Sequence, residues 1–215
     1  GGDGGFGAGT HARQDVIDPH AVQSDPATTA MVGMALLRMG NTPEKGRYSN
    51  VLNKLTDHLL ITVEQADNAA RNVTTLQGTQ IQVKLGQNID AALTAQFLSN
   101  LMGRMPCSHP KHDRWINALN KCVSIIQRSQ NTDGSVQGDG WAGVLQSSFA
   151  ASALESAKFQ GAQVNDSALR KAQDFQKANF DVSSGSAVTE RAAGITLYAV
   201  SGSTRNSARE AREVK

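Results

Sequence analysis

The sequence predicts an all-α protein built from antiparallel helical hairpins, and three observations carry that reading. Four segments start on polar or small residues and then run apolar at helical spacing, each toward a glycine. A more amphipathic segment follows each of the first three, with Lys, Asp, Asn and Gln on its opposite face. Asp-Gly pairs punctuate the connections, as expected where a chain must reverse in little space.

Residues 1–24 read as a glycine-rich loop or arm, possible as the end of an earlier repeat, and 25–215 as the repeat domain. The first small-residue helix follows Asp25-Pro26-Ala27, carries Met31, Met34, Ala35 and Leu36, and stops at Gly40. Its amphipathic partner presents Val51, Leu52, Leu55, Leu59 and Val63. The connection 67–88 includes Thr79-Gln80-Ile81-Gln82-Val83-Lys84, whose alternation predicts a short strand or extended loop. A second pair follows. Asn88-Ile89-Asp90-Ala91 leads into Leu93, Phe97, Leu98 and Leu101 up to Gly103, and Trp115, Ile116, Leu119, Val123 and Ile126 line the partner. Residues 129–143 are glycine-rich and polar, with turns at Asp133-Gly134 and Asp139-Gly140. The third pair runs from Val144 to Gly161, then through Leu169, Ala172, Phe175 and Ala178. A fourth small-residue helix is expected from Thr189 to Gly202, with 205–215 beginning its partner. Alanine, serine and glycine inside the first helix of each pair permit close approach on both sides. That suits an inner ring of helices packed on both sides.

Composition narrows the function classes. The chain has 215 residues, 39% hydrophobic and 19% charged, which suits a globular domain with a sizeable core. A net charge of +2, with the signs interspersed, gives no footprint for nucleic acid or an anionic membrane surface. Arg205, Arg209, Arg212 and Lys215 alternate with Glu210 and Glu213, the pattern of a solvated helix face. No apolar run approaches the roughly 18 residues of a membrane span. The chain opens Gly1-Gly2-Asp3 without Met, so a processed start or a piece of a longer protein is expected. That start and the Gln/Asn-rich surface point toward an exported or periplasmic bacterial protein, although compartment stays open.

Several motifs resemble those of a known superfamily. Gln127 to Ser135, ending Asp133-Gly134-Ser135, looks like the turn between helix pairs of squalene-type terpene cyclases. Asp3-Gly4-Gly5-Phe6-Gly7 resembles the version in protein prenyltransferase β subunits, and Thr28–Gly40 is similar to the helix that follows it. The resemblance implies antiparallel helical hairpins forming a partial or complete α/α toroid. In the cyclases a tryptophan follows the turn, whereas here Val136 stands in that place and Trp141 comes later. The activities of the superfamily depend on residues this sequence lacks: an Asp-x-Asp-Asp acid, the prenyltransferase zinc set, or a Gly-Cys-Gly-Glu-Gln thioester segment.

Candidate chemistry is therefore local. Cys107, His109, His112 and Asp113 lie in one loop and offer thiolate, imidazole and carboxylate to a zinc ion. The competing reading is a hairpin turn in which Ser108 or Asp113 caps the helix near Trp115. No other cofactor is expected. Cys107 and Cys122 are open to a disulfide or to free thiols, and His58 is expected on the flank of its helix. Trp115, Trp141 and Phe149 are candidates for a ligand or partner surface, or else packing wedges beside the turns. Aromatics make up 5% of the chain, too few for a cavity that steers carbocations. The function expected first is a non-catalytic helical repeat module for protein binding or assembly within a larger complex. Behind it stand a fragment of a cyclase- or prenyltransferase-like enzyme and a polysaccharide-binding or polysaccharide-active toroid.

Overall fold

The computed structural model describes residues 2–8, 22–136, 142–181, 183–187 and 196–213. Helix α1 spans Pro26–Arg38. The Asp25 carboxylate starts it by accepting the Thr28 N–H at 2.7 Å, with Pro26 placed where a missing N–H costs nothing. Helix α2, Ser49–Gln65, turns Leu52, Leu55, Leu59, Leu60 and Val63 inward. Then come α3 (Gln80–Leu85), α4 (Ile89–Met102), α5 (His112–Arg128), α6 (Gly143–Phe159) and α7 (Asp166–Ala178). A two-residue antiparallel ladder of β1 (Phe180–Asp181) and β2 (Ser186–Ala187) precedes α8 (Thr196–Glu213). The described residues are helical apart from that ladder, one isolated bridge and the connections, as the apolar spacing predicts.

The helices form two rows. In the front row α1 packs on α4, α4 on α6, and α6 on α8. Behind them α2 backs α1, α5 backs α4 and α7 backs α6. Small residues make the front row possible: α4, flanked on both sides, buries twelve of its fourteen residues. A Cβ on Gly33 of α1 would collide with Phe97 of α4 and Leu55 of α2, so this helix crossing requires glycine. The back-row helices α2 and α5 are amphipathic because one side meets water. They are also tied to each other, since Arg114 grips Glu64 through Nε at 2.6 Å and Nη2 at 2.9 Å. That hydrogen-bonded guanidinium holds the Glu64 carboxyl below its ordinary pKa.

The turns repeat as closely as the helices. Asp3, Asp67, Asp133 and Asp181 each accept, through Oδ1, the N–H two residues on. Gly4 and Gly134 both sit at φ +86°. A side chain there would strike the backbone of Lys54 in α2 and Lys171 in α7, so each turn is pressed onto the back-row helix of its own pair. One residue pair repeats again. Thr29 Oγ1 accepts the Phe6 N–H at 2.9 Å, and Ser147 Oγ accepts the Val136 N–H at 3.0 Å. Residues 2–8 are thus docked against the start of α1.

Four expectations change. Thr79–Lys84 is not extended: Thr79 and Gln82 form a capping box that starts α3. Residues 205–213 continue α8 instead of opening a new helix, and Gly202 lies inside α8 against Gln176 rather than ending it. Gly40 and Gly161 are left-handed stops, but Gly103 is right-handed at φ −65°. Helix α5 begins at His112, and neither Ser108 nor Asp113 caps it; Lys111 is the cap, without a side-chain bond. The Asp139-Gly140 turn, and the start of the last helix from Thr189, lie outside the described residues.

Candidate functional site

The loop between α4 and α5 gathers the Cys/His set, and its members face different partners. His109 stacks on Trp115 with ring centroids 4.4 Å apart. Its Nδ1 accepts the Lys111 N–H at 3.1 Å, and its Nε2 faces Glu44 at 3.4 Å. His112 Nδ1 lies 3.9 Å from Asp113, whose side chain is 99% exposed. Cys107 is an exposed thiol and Cys122 a buried one, so the two are not bridged. Burial pushes the Cys122 thiol up to about 12, leaving it inert. Among the described residues, no group of three or more His, Cys, Asp or Glu is placed to hold a metal ion. His58 does lie on its helix flank, turned toward Asp3 of the first turn at 3.4 Å.

Trp115 does not line a surface. It is wholly buried in the core, because α5 turns its apolar side onto α2 and α4 and the indole fills the space beneath His109. Phe149 is half-buried against the same core, and its carbonyl accepts Gln96 Nε2 at 2.8 Å. Trp141 lies outside the described residues. A cleft of about 520 Å³ beside Asp67 and Asn72, and another of about 480 Å³ between the ends of α4 and α6, are shallow and mixed in polarity. In the first, Gln65, Asp67, Asn72 and three threonines give hydrogen-bonding groups but no nucleophile–base pair.

Two features escaped sequence reasoning. The first is Asp90, a fully buried carboxyl in the first turn of α4. It accepts the Ala27 N–H of α1 at 3.1 Å, Asn72 Nδ2 at 3.1 Å and Gln82 Nε2 at 2.7 Å. One carboxyl thereby locks the start of α1, the 67–79 connection and α3 together. Burial lifts its pKa to about 6; the Gln82, Asn72 and Ala27 donors pull the other way, and nearby Asp25 adds to the rise. The polar start Asn88-Ile89-Asp90 was the only signal, and it resembles an ordinary exposed helix start.

The second is the open side of α1. Among the described elements, α4 and α6 have front-row neighbours on two sides, whereas α1 packs on α4 and α2, with residues 2–8 docked at its start. Its exposed arc carries Met31, Ala35, Arg38 and, just beyond the helix, Met39, with Val32 half-buried at its edge. Met31 is 49% and Met39 67% exposed. On α4 the same kind of side is buried under α6. Among the described residues, no helix covers this arc.

No helix among the described residues is long and apolar enough to cross a membrane. Comparison with protein families, with curated proteins and with solved structures returned no match.

Proposed function

We propose that this chain is a non-catalytic helical repeat module that joins a protein partner or a further copy through the open side of α1. The observation that carries the reading is that side itself: Met31, Ala35 and, just past the helix, Met39 lie exposed beside the half-buried Val32. Apolar side chains gathered on one helix face gain by being covered, and helix arrays extend by stacking on their neighbours. The repeated turns support a second part of the proposal, that the front row belongs to the α/α toroid class which Asp3-Gly4-Gly5-Phe6 and Asp133-Gly134-Ser135 resemble. The missing acid, zinc and thioester motifs favour binding over the chemistry of those relatives.

Sedimentation velocity across a concentration series tests the reading. Association is expected to strengthen with concentration and to be lost in Met31→Lys, while circular dichroism and the melting midpoint stay unchanged. A chain that remains monomeric throughout, alike in wild type and variant, overturns self-assembly. A complex with another protein that survives Met31→Lys overturns the assignment to this side.

A further inference from the structure

Helix α8 stands in the front row but outside the main core. The continuous cluster of buried apolar side chains runs from Ala27 to Leu169. Helix α8 instead adds Ala199 to a separate small cluster with Val144, against which Tyr198 packs. Among its described residues only Ala199, Gly202 and Ser203 are buried. An 18-residue helix is therefore anchored by very little apolar area.

The surface beneath it is polar, in two layers. Toward the helix start, Gly202 sits against Gln176 of α7 and Ser148 of α6. One turn further on, Glu155 of α6 accepts from both Gln173 of α7 and Arg205 of α8. Gln176 is 1% exposed, yet neither atom of its amide has a hydrogen-bond partner. Nε and Nη2 of Arg205 are buried and unpartnered as well. Water would satisfy all four atoms if α8 moved away, so they favour the undocked state over the docked one. An element with few apolar contacts among its described residues and such a lining opens at lower free energy than the core does.

We propose that α8 is a releasable cap on the front row, leaving as a unit while α1–α7 stay folded. Its departure hydrates Gln176 and Arg205, leaves Glu155 with Gln173, and bares the flank of α6. Undocking is a property of the single chain and does not rest on the association proposed for α1.

Hydrogen exchange of the full chain, read by mass spectrometry, tests it. Amides of 199–213 are expected to exchange about 100-fold or more faster than those of α4 and α5, at a rate independent of protein concentration. Glu155→Gln removes the ion pair and should speed exchange in α8 about tenfold. Gln176→Leu replaces the unpartnered amide with an apolar side chain and should slow it about fivefold. Neither variant should move α4. Protection of α8 equal to that of α4 overturns the proposal. So does a variant that shifts every helix together, because α8 would then open only with the whole fold. Exchange in α8 that slows with protein concentration also overturns it, since the helix would then be an interface.

Discussion

Helices α4 and α8 hold equivalent stations in the front row, yet they are secured by opposite means. Helix α4 is enclosed by α1, α5 and α6, buries nearly its whole length, and fixes its start with a carboxyl that ties three elements together. Among the described residues, helix α8 packs on α6, α7 and the β1–β2 ladder, buries Ala199, Gly202 and Ser203, and carries an ion pair from Arg205 to Glu155. Position within a row of repeats, more than helix length, decides how firmly a helix is held. Within the described front row α4 has α1 and α6 beside it, whereas α8 has α6.

The largest expected effect comes from breaking the centre. Phe97→Ala on α4 should cost about 3–5 kcal/mol in urea unfolding, because the ring fills the crossing with Gly33 and the row cannot collapse onto the gap. A loss under about 1 kcal/mol would mean that α4 is not the centre of stability. Next comes Asp90. Its folded pKa of about 6 lies above the ordinary 3.8, so the folded chain holds the proton more tightly than the unfolded chain. The stability this proton contributes is complete below the ordinary value and is lost as pH rises through about 6. Measured against Asp90→Asn, wild-type stability should fall between pH 4 and pH 7 by on the order of 3 kcal/mol. A difference that is flat with pH would mean a carboxyl ionised throughout.

The turns give a smaller effect that compares the two ends directly. Gly134→Ala forces a side chain into a left-handed backbone and onto the Lys171 carbonyl, and should cost about 1–3 kcal/mol. Gly4→Ala should cost a similar amount against Lys54. Hydrogen exchange would place the first loss in α6–α8 and the second in α1–α2; the same pattern from both would contradict separate pairs. The smallest effect belongs to the edge. Leu197→Ser, at a side chain 68% exposed, should change the unfolding free energy by less than about 0.5 kcal/mol.

Helices α1, α4 and α6 of the front row were legible because small and apolar residues at helical spacing mean the same thing wherever they occur. The turns at Asp3 and Asp133 were legible from their glycines, whereas Asp67 and Asp181 make the same bond without a glycine next to them. Helix α3 was within reach, since Thr79-x-x-Gln82 is a helix-start pattern, but the alternation of Ile81 and Val83 suggested a strand. Asp90 was out of reach. Its partners stand 8, 18 and 63 residues away, and no local pattern shows that they converge. Nor does spacing reveal which flank of α1 lacks a neighbour: Met31 reads the same whether covered or bare.

Because each turn is pressed onto the back-row helix that follows it, the natural building block is turn, front helix, back helix. Gly4 with Lys54, and Gly134 with Lys171, are contacts internal to such a block. The seam between blocks therefore falls at the end of a back-row helix, near Ser129, and not at the glycines that mark the turns to the eye. A gene duplication or an engineered insertion cut at that seam would carry its own clamp with it. One cut at the Asp-Gly turn would separate each clamp from the helix it holds.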